Sequence, residues 1–486
     1  MARKVRFIEP LSRPGRPFNG WIRRWPLLGP ILLASILERQ GYDVAVYNEN
    51  VSGPLQDNPA CLEDICSADL VGLTIMTATA TRGYGLARLL RLSGFGGTIA
   101  FGGVHATFCP EEAIQFGDVV VCGEGEGIIS ALAAGDIRGG IHHPHPPQDL
   151  DSLPPPRHEL MIDFEKLLAL AGGRQNYELP VMASRGCPHG CVYCSVTQMY
   201  GRTVRRQSHE RIQADLELYV KRGFRRVFFY DDNLVADREW TRNLLARIEP
   251  LHIRWHAQAR VDLHWMDPQR SQCDHQLLAA MRRSGCDLLY IGYETVDEAT
   301  ARLWNKGYRG QDRLDNRLME DSRILHEHGI WIHAMFILGP DHDQAYIDRV
   351  VDFSRRARLE TMQLSVLTPL PGTPLFQQMQ DKLLLKNFPE DWDFYDGTHC
   401  VYPHRRMSIE SLQRAVLAAH LQFYRSLGPA WQRLRKVLGQ SGSVSRRVGQ
   451  LWRHARLGPP IFNQWRNETY RYIEMIRRRC GQAAQL

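Results

Sequence analysis

Along most of this chain, short apolar runs alternate with longer stretches in which apolar residues recur at helical spacing. In the first 143 residues the runs Val5–Glu9, Val44–Tyr47, Leu70–Thr74, Thr98–Phe101 and Val119–Val121 read as strands, with helices over Ile31–Arg39, closed by Gly41, and over Arg82–Leu92. Short apolar strands separated by helices predict a parallel, doubly wound α/β sheet of Rossmann-like type, because each parallel crossover needs a helix and covers a sheet face. A proline-rich stretch, Pro144 to Arg157, marks a linker over residues 144–175. The pattern then resumes over residues 176–400. Strand-like runs at Leu179–Ala183, Arg226–Tyr230, Arg254–Val261, Leu288–Tyr293, Ile332–Leu338 and Met362–Leu367 are separated by helical stretches such as Glu210–Arg222, Asp274–Ser284 and Leu318–His328. These β/α units predict a partial (β/α)6 barrel with its chemistry at the carboxyl ends of the strands.

Residues 401–486 read as a helical C-terminal cap. Ile409, Leu412, Val416, Ala419, Phe423, Leu427, Leu434 and Leu438 recur near helical spacing with arginines between them. Gly439–Ser445 interrupts this pattern, and Val448–Arg479 is a second basic segment bearing Trp452 and Trp465. Charge sharpens the division. Residues 405–486 hold 16 Lys/Arg against three acids, a balance of +13 within a total of +7, which leaves the preceding residues at −6. That tail is a solvated helical cap or a surface for anionic lipid headgroups or an anionic substrate. No RNA-binding module is recognisable, so nucleic acid is not expected as a partner. The N-terminus has no apolar h-region, no apolar run spans a bilayer, and 11 cysteines without a disulfide-like framework fit a reducing compartment. The expectation is a cytoplasmic protein, with contact at the inner membrane face open through the basic tail.

The chemistry is concentrated at Arg185-Gly186-Cys187-Pro188-His189-Gly190-Cys191-Val192-Tyr193-Cys194. Three thiols at C-x3-C-x2-C spacing in a Gly/Pro loop after a strand suit an iron–sulfur cluster. A zinc site closed by His189 is the alternative on spacing alone. Other strand ends are polar too. Asp231 and Asp232 follow the second barrel strand and could receive an ammonium group or cap the helix starting near Asp237. Gln258 and Arg260 share a face with His256, and Arg260 could grip a carboxylate of a ligand or of the barrel itself. Glu294 ends an apolar strand and needs a partner if buried. In the N-terminal sheet the ends carry Thr74, then Gly102-Gly103-Val104-His105-Ala106-Thr107, then Gly123-Glu124-Gly125-Glu126. Small residues there leave room for a large flat ligand or a phosphate. No G-x-G-x-x-G follows the first strand, which weakens a dinucleotide reading.

The cysteine spacing with an aromatic before the third Cys resembles the radical S-adenosylmethionine (SAM) superfamily. Preceded by G-G-x-H-A-T and G-E-G-E, and followed by Gly292-Tyr293-Glu294-Thr295, Gly339-Pro340 and Pro369–Leu375, it resembles the cobalamin (B12)-binding class of that superfamily over residues 1 to about 400. The resemblance implies Cys187, Cys191 and Cys194 as ligands of a [4Fe-4S] cluster, Tyr193 near the SAM adenine, and Asp231 and Asp232 at the SAM amino group. It also implies Glu294 at the ribose hydroxyls and Thr74, Gly102, Gly103, His105, Gly123 and Glu124 around the cobalamin, and the shared face of Gln258 and Arg260 places them as candidates for the same SAM site. The D-x-H-x-x-G signature of other B12 proteins is absent, so His105 is the nearest candidate for an axial ligand.

The activity this resemblance implies is that of a B12-dependent radical SAM methyltransferase. Such an enzyme would cleave SAM to a 5'-deoxyadenosyl radical and transfer a methyl group from methylcobalamin to an unactivated carbon of a small-molecule or lipid substrate, with an external electron donor of flavodoxin or ferredoxin type. Ring formation on a tetrapyrrole and carbon–carbon or ether bond formation on a lipid are alternatives within the class. Outside it stand a methylthiotransferase-like enzyme with a second cluster on Cys61, Cys66, Cys109 and Cys122, and a non-enzymatic iron–sulfur module.

Overall fold

The computed structural model describes residues 3–17, 19, 24–267, 269–308, 312–425 and 462–479. The first sheet is built from β1 (Lys4–Glu9), β2 (Asp43–Asn48), β3 (Leu70–Thr74), β4 (Thr98–Gly102), β5 (Val119–Val121) and β6 (Gly140–His142). They run parallel in the order β2-β1-β3-β4-β5-β6. Val5, Ile8, Val71, Ile99, Val119 and Val120 are fully buried, as parallel strands covered on both faces require. The strand order reverses between β1 and β3, and ligands collect in the crevice beyond such a switch point. β6 is a correction to the sequence reading. It is a short, partly exposed edge strand between a glycine pair and prolines, and an edge needs no apolar run to pair on one side.

The second sheet follows β7 (Glu178–Val181) and a two-stranded antiparallel ribbon, β8 (Ser184–Arg185) with β9 (Arg205–Arg206). It continues with β10 (Arg226–Phe229), β11 (Arg254–Arg260), β12 (Cys286–Glu294), β13 (Trp331–Leu338) and β14 (Thr361–Val366). The order β14-β13-β12-β11-β10-β7 is parallel throughout, giving the open six-stranded partial barrel with helices between its strands. Helices start at good caps: Ser208, Asp237, Asp274 and Asp343 each accept a hydrogen bond from a backbone N–H of the first turn. Asp237, not Asp231 or Asp232, therefore caps the helix Arg238–Ile248.

The proline-rich linker folds back along both domains. Ile162 donates to the Val46 carbonyl at 2.8 Å, Arg157 N–H to Ser35 Oγ at 2.8 Å, and the Tyr219 hydroxyl to the Pro156 carbonyl at 3.0 Å. A segment after the barrel binds the first domain: Trp392 Nε1 donates to Glu112 at 3.0 Å, Thr81 Oγ1 to the Pro389 carbonyl at 2.7 Å, and Arg16 pairs with Asp396 at 2.8 Å.

Of the expected cap, helix Ile409–Arg425 is present, and a helix over 462–479 packs with it. Trp465, read as part of a basic surface segment, is 6% exposed and lies edge-on to His420 at 4.7 Å. Glu468 pairs with Arg13 at 2.9 Å, and the Tyr472 hydroxyl donates to the Cys400 carbonyl at 2.6 Å. This helix is thus part of the packed fold. Leu427, Leu434, Leu438, Gly439–Ser445 and Trp452 lie outside the described residues. Among the described residues no helix is long and apolar enough to cross a membrane.

Candidate functional site

The cysteine loop hangs on the β8–β9 ribbon, where Ser184 pairs with Arg206 and Arg185 with Arg205. Gly186 has φ +99°, and a Cβ there would sit 2.7 Å from the Thr203 carbonyl oxygen, so the loop can leave the ribbon this closely only with glycine. Val192 N–H donates to the Trp304 carbonyl at 3.2 Å, and Leu375 N–H to the Val192 carbonyl at 3.1 Å, pinning the loop between the ends of β12 and β14. Cys187, Cys191 and Cys194 are all half-buried. Burial pushes the Cys187 thiol up and the Cys194 thiol up to about 12, with the charges of Cys191 and Asp232 adding to both. The three sulfurs therefore share one neighbourhood.

Among the described residues no three or more His, Cys, Asp or Glu side chains converge on a point that one metal ion could occupy. His189 and the three thiols are thus not preformed as a single-metal site, whereas a cluster whose thiolates bind separate irons needs no such convergence. Of the cysteines considered for a second cluster, Cys61 lies near Asp64 and Asp163, whereas Cys109 lies near Glu112 and Cys122 near the adjacent Glu111. The Tyr193 hydroxyl, beside Cys191, Glu294 and Tyr308, is buried without a well-formed hydrogen bond. A buried hydroxyl with no better partner than the weak Cys191 thiol is what a site for a further polar ligand presents. The residues present fit a cluster and a bound SAM.

Around the loop, the strand ends divide the expected roles. Asp231 is fully buried and accepts from Ala183 N–H at 3.0 Å and from the Ser184 hydroxyl. Burial raises it to about 6. Its oxygens hold the β7–β8 turn and are not available to a ligand, which corrects one of the paired assignments. Asp232 is half-buried, faces Cys187 and Cys194, and is raised to about 7 by burial and by Asp231, against a Gly186 N–H that lowers it.

Arg260 shows the internal alternative. Nε and Nη2 bind the two Asp262 oxygens at 2.9 Å each, and Nη1 donates to the Lys306 carbonyl at 2.9 Å. Gln258, half-buried on the same face, accepts Leu234 N–H at 3.2 Å through its backbone carbonyl. Glu294 sits at φ +57°, on a register shift in β12, and pairs with Lys306 Nζ at 2.8 Å. A non-glycine residue in the left-handed region is uncommon, and here it turns the Glu294 carboxylate toward Lys306. A cavity of ≈ 550 Å³ opens beside the loop, lined among others by Pro188, His189, Gly190, Arg260, Lys306 and Tyr308. Lys306, Asp262 and Tyr308 escape sequence reasoning because no periodicity or motif surrounds them.

The N-terminal strand ends are open where these are crowded. Thr74 stands in register with Gly102. Nothing lies within 4 Å of a Cβ placed on Gly102 or Gly123. Gly103 has φ +92°, and its Cβ would meet the Ile75 carbonyl oxygen at 2.8 Å. Thr107 links the two glycine loops, donating to the Gly103 carbonyl at 2.9 Å and accepting Gly123 N–H at 2.9 Å. This open cradle of small residues fits a flat macrocycle. Two further assignments are corrected. His105 is fully buried, with Nδ1 3.3 Å from Thr77 Oγ1, Nε2 3.2 Å from Glu112, and its ring edge-on to Trp392 at 5.0 Å. Engaged at both nitrogens, it braces the loop from inside. The Glu124 carboxylate is held by Arg185 and Arg205 of the barrel, and Glu126 pairs with Arg185 at 2.7 Å.

A doubly wound domain with open glycine loops, joined to a six-stranded partial barrel carrying three thiols, is the architecture of a radical SAM protein with an N-terminal cofactor domain. Residues 24–133 match the B12 binding domain family and residues 181–354 the Radical SAM superfamily. The chain belongs to the B12-binding radical SAM proteins. It is 26% identical over 431 residues to a bacteriochlorophyllide d C-12(1)-methyltransferase of Chlorobaculum tepidum, covering 87% of this chain and 88% of the relative. A hopanoid C-2 methylase of Rhodopseudomonas palustris is 23% identical over 365 residues, covering 73% and 64%. In fold the chain is similar to the radical S-adenosylmethionine methyltransferase TsrM of Kitasatospora setae, solved with cobalamin and a [4Fe-4S] cluster, with a TM-score of 0.66 at 14% identity over 97% of this chain and 100% of that one.

Proposed function

We propose that this chain is a cobalamin-dependent radical SAM methyltransferase acting on an unactivated carbon of a small-molecule or lipid substrate. The observation that carries the reading is the pairing of the two domains. The loop after β5, within the B12-binding match, is ion-paired to the stem of the three-cysteine loop. The curated relatives are named for a tetrapyrrole and a hopanoid, two bulky apolar ring systems, which supports a substrate of that kind. When bound, the cluster, SAM and cobalamin supply reductive cleavage of SAM and a transferable methyl group.

The chain's own residues hold and shield. Cys187, Cys191 and Cys194 would hold the cluster through three thiolates. Asp232 would receive the SAM ammonium, Glu294 would accept from the ribose hydroxyls, Tyr193 would pack near the adenine, and Gln258 would line the same side. Arg260 acts through Asp262 and the Lys306 carbonyl, fixing the loop that carries Lys306. Thr74, Gly102, Gly103 and Gly123 form the floor for the corrin. Closing the space between the two strand-end sets excludes water and orients the substrate carbon. A small flavodoxin- or ferredoxin-type protein is the expected electron donor.

Anaerobic reconstitution with iron, sulfide and hydroxocobalamin tests this directly. About four irons and one cobalt per chain, with 5'-deoxyadenosine formed from SAM under a strong reductant, is the expected result. About eight irons without cobalt would instead mean a two-cluster enzyme. Comparing metabolites and lipids from cells with and without the active protein, for species differing by one methylene, identifies the substrate.

A further inference from the structure

Four charged side chains join the cysteine loop to the loop after β5. Arg185, two residues before Cys187, and Arg205, its register partner across the β8–β9 ribbon, both bind the Glu124 carboxylate. Arg205 Nη1 reaches the second Glu124 oxygen at 3.2 Å and the Pro147 carbonyl at 2.7 Å, while Arg185 Nη2 binds Glu126 at 2.7 Å. The side chains of Arg185, Glu124 and Glu126 are 5%, 4% and 8% exposed, and that of Arg205 12%. Two cations and two anions are thus buried together with their charges balanced.

Such a network is a poor choice for raw stability, because desolvating four charges offsets most of their attraction, and an apolar contact would hold the domains as well. What it adds is orientation, since the Arg205 fork engages both Glu124 oxygens while Arg185 bridges Glu124 and Glu126, which fixes the carboxylate's angle as well as its distance. It grips the molecule at a telling place. Both strands of the two-residue stem carrying residues 186–204 are held by a single side chain of the neighbouring domain. That side chain follows Gly123, whose N–H is tied through Thr107 to Gly103. The chain of contacts runs unbroken from one cofactor loop to the other. The domain contacts at Glu112, Thr81 and Arg16 bind the segment after the barrel instead, away from the stem of the cysteine loop.

We propose that Arg185, Arg205, Glu124 and Glu126 are positioning residues that set the placement of the cysteine loop relative to the cobalamin loops, so that occupancy of one site orders the other. The inference rests on the methyltransferase reading, since it requires both cofactor sites to be real. Amide hydrogen exchange of the full chain, with and without saturating hydroxocobalamin and before any cluster is built, tests it. In the unsubstituted chain the vitamin is expected to slow exchange in residues 98–108 and, through the network, about tenfold in residues 186–204. In Glu124→Gln and in Arg205→Gln, compared at saturation with bound cobalamin read from its visible absorbance, protection of 98–108 persists and that of 186–204 is lost. Arg205→Lys, which keeps the charge but not the fork, recovers only part of it.

Undiminished protection of 186–204 in Arg205→Gln, the more exposed and more readily tolerated site, would overturn the proposal. Failure of the unsubstituted chain to retain hydroxocobalamin after desalting would sink the functional reading itself, and the inference with it. With both cofactors in place, the microwave power that half-saturates the cob(II)alamin resonance reports its proximity to the reduced cluster. It is expected to shift several-fold in Arg205→Gln, and an unchanged value counts against the network.

Discussion

The two sets of strand ends that meet at the domain interface are built on opposite principles. Those of β3, β4 and β5 present Thr74, Gly102, Gly103 and Gly123, uncharged and with open space above Gly102 and Gly123. Those of β7, β10, β11 and β12 are crowded with Asp231, Asp232, Arg260, Asp262, Glu294 and, from the loop beyond, Lys306, most of them already paired with one another. Both sheets are parallel, so both direct their ligands to the same ends of the strands. The contrast follows from what each half has to hold. A large macrocycle is bound by shape and backbone approach, and side chains are in its way. A small zwitterion beside three thiols is bound by charge, and charges kept out of water need partners of their own before the ligand arrives.

Removing one thiol is the most severe way to break that contrast. Cys191→Ala should abolish 5'-deoxyadenosine formation while leaving hydroxocobalamin absorbance in the desalted protein, because the thiol is a cluster ligand and no part of the open glycine cradle. Loss of both would show that cobalamin is not held by the glycine cradle alone. Next in size is the reverse change. Gly102→Leu puts four carbons into empty space, so the thermal midpoint should hold while cobalamin affinity falls about tenfold to a hundredfold, the equivalent of ~1–3 kcal/mol of overpacking against the ligand. An equal loss of stability would mean that the space is filled by protein.

On the crowded side, Glu294→Gln keeps the shape but removes the charge, and should weaken SAM binding about tenfold, as expected for losing a charged hydrogen-bond acceptor. Calorimetric titration of the reconstituted protein checks this, and unchanged affinity removes Glu294 from the ribose site.

The smallest effect concerns Glu9, at the end of β1. It is buried, and burial raises it to about 8 against the N–H of Leu27 and the Asn48 amide, which lower it. Its folded value lies above the ordinary carboxylate value, so between about pH 4.5 and 8 the folded chain keeps a proton that the unfolded chain releases. Stability should fall as pH rises through that window. Glu9→Gln should flatten the decline and be the more stable protein at pH 9, as read by thermal melts across the range. A parallel decline in both proteins would assign the slope to another group.

How much of this is legible in the sequence varies with the kind of signal. The strands read from apolar runs in the two large sheets lie within two residues of their observed bounds, because burial on both faces forces a run. β12 starts two residues before its run, where Cys286 and Asp287 dilute the pattern, and β7 ends two residues before its run does. The edge strand β6 escapes detection for the opposite reason, having no apolar run to betray it. The three clustered thiols are legible through their spacing, which by itself leaves open a cluster or a zinc site closed by His189. His105 and Asp231 are misassigned from sequence because their types suit ligation, and nothing in a sequence says which way a side chain at a strand end turns. Trp465 reads as surface because its neighbours are basic, whereas the helix over 462–479 turns Trp465, Tyr472 and Ile476 inward.

The sequence by itself determined the order of the domains, the parallel strands and the three thiols, since local periodicity and short-range spacing are properties of neighbouring residues. Only the tertiary structure decided who partners whom. Arg260 lies two residues from its acid, but Lys306 reaches Glu294 from twelve residues away, and Arg185 and Arg205 reach Glu124 from 61 and 81 residues away. Buried charges choose partners by distance in space, and it is folding that brings distant segments within hydrogen-bond reach.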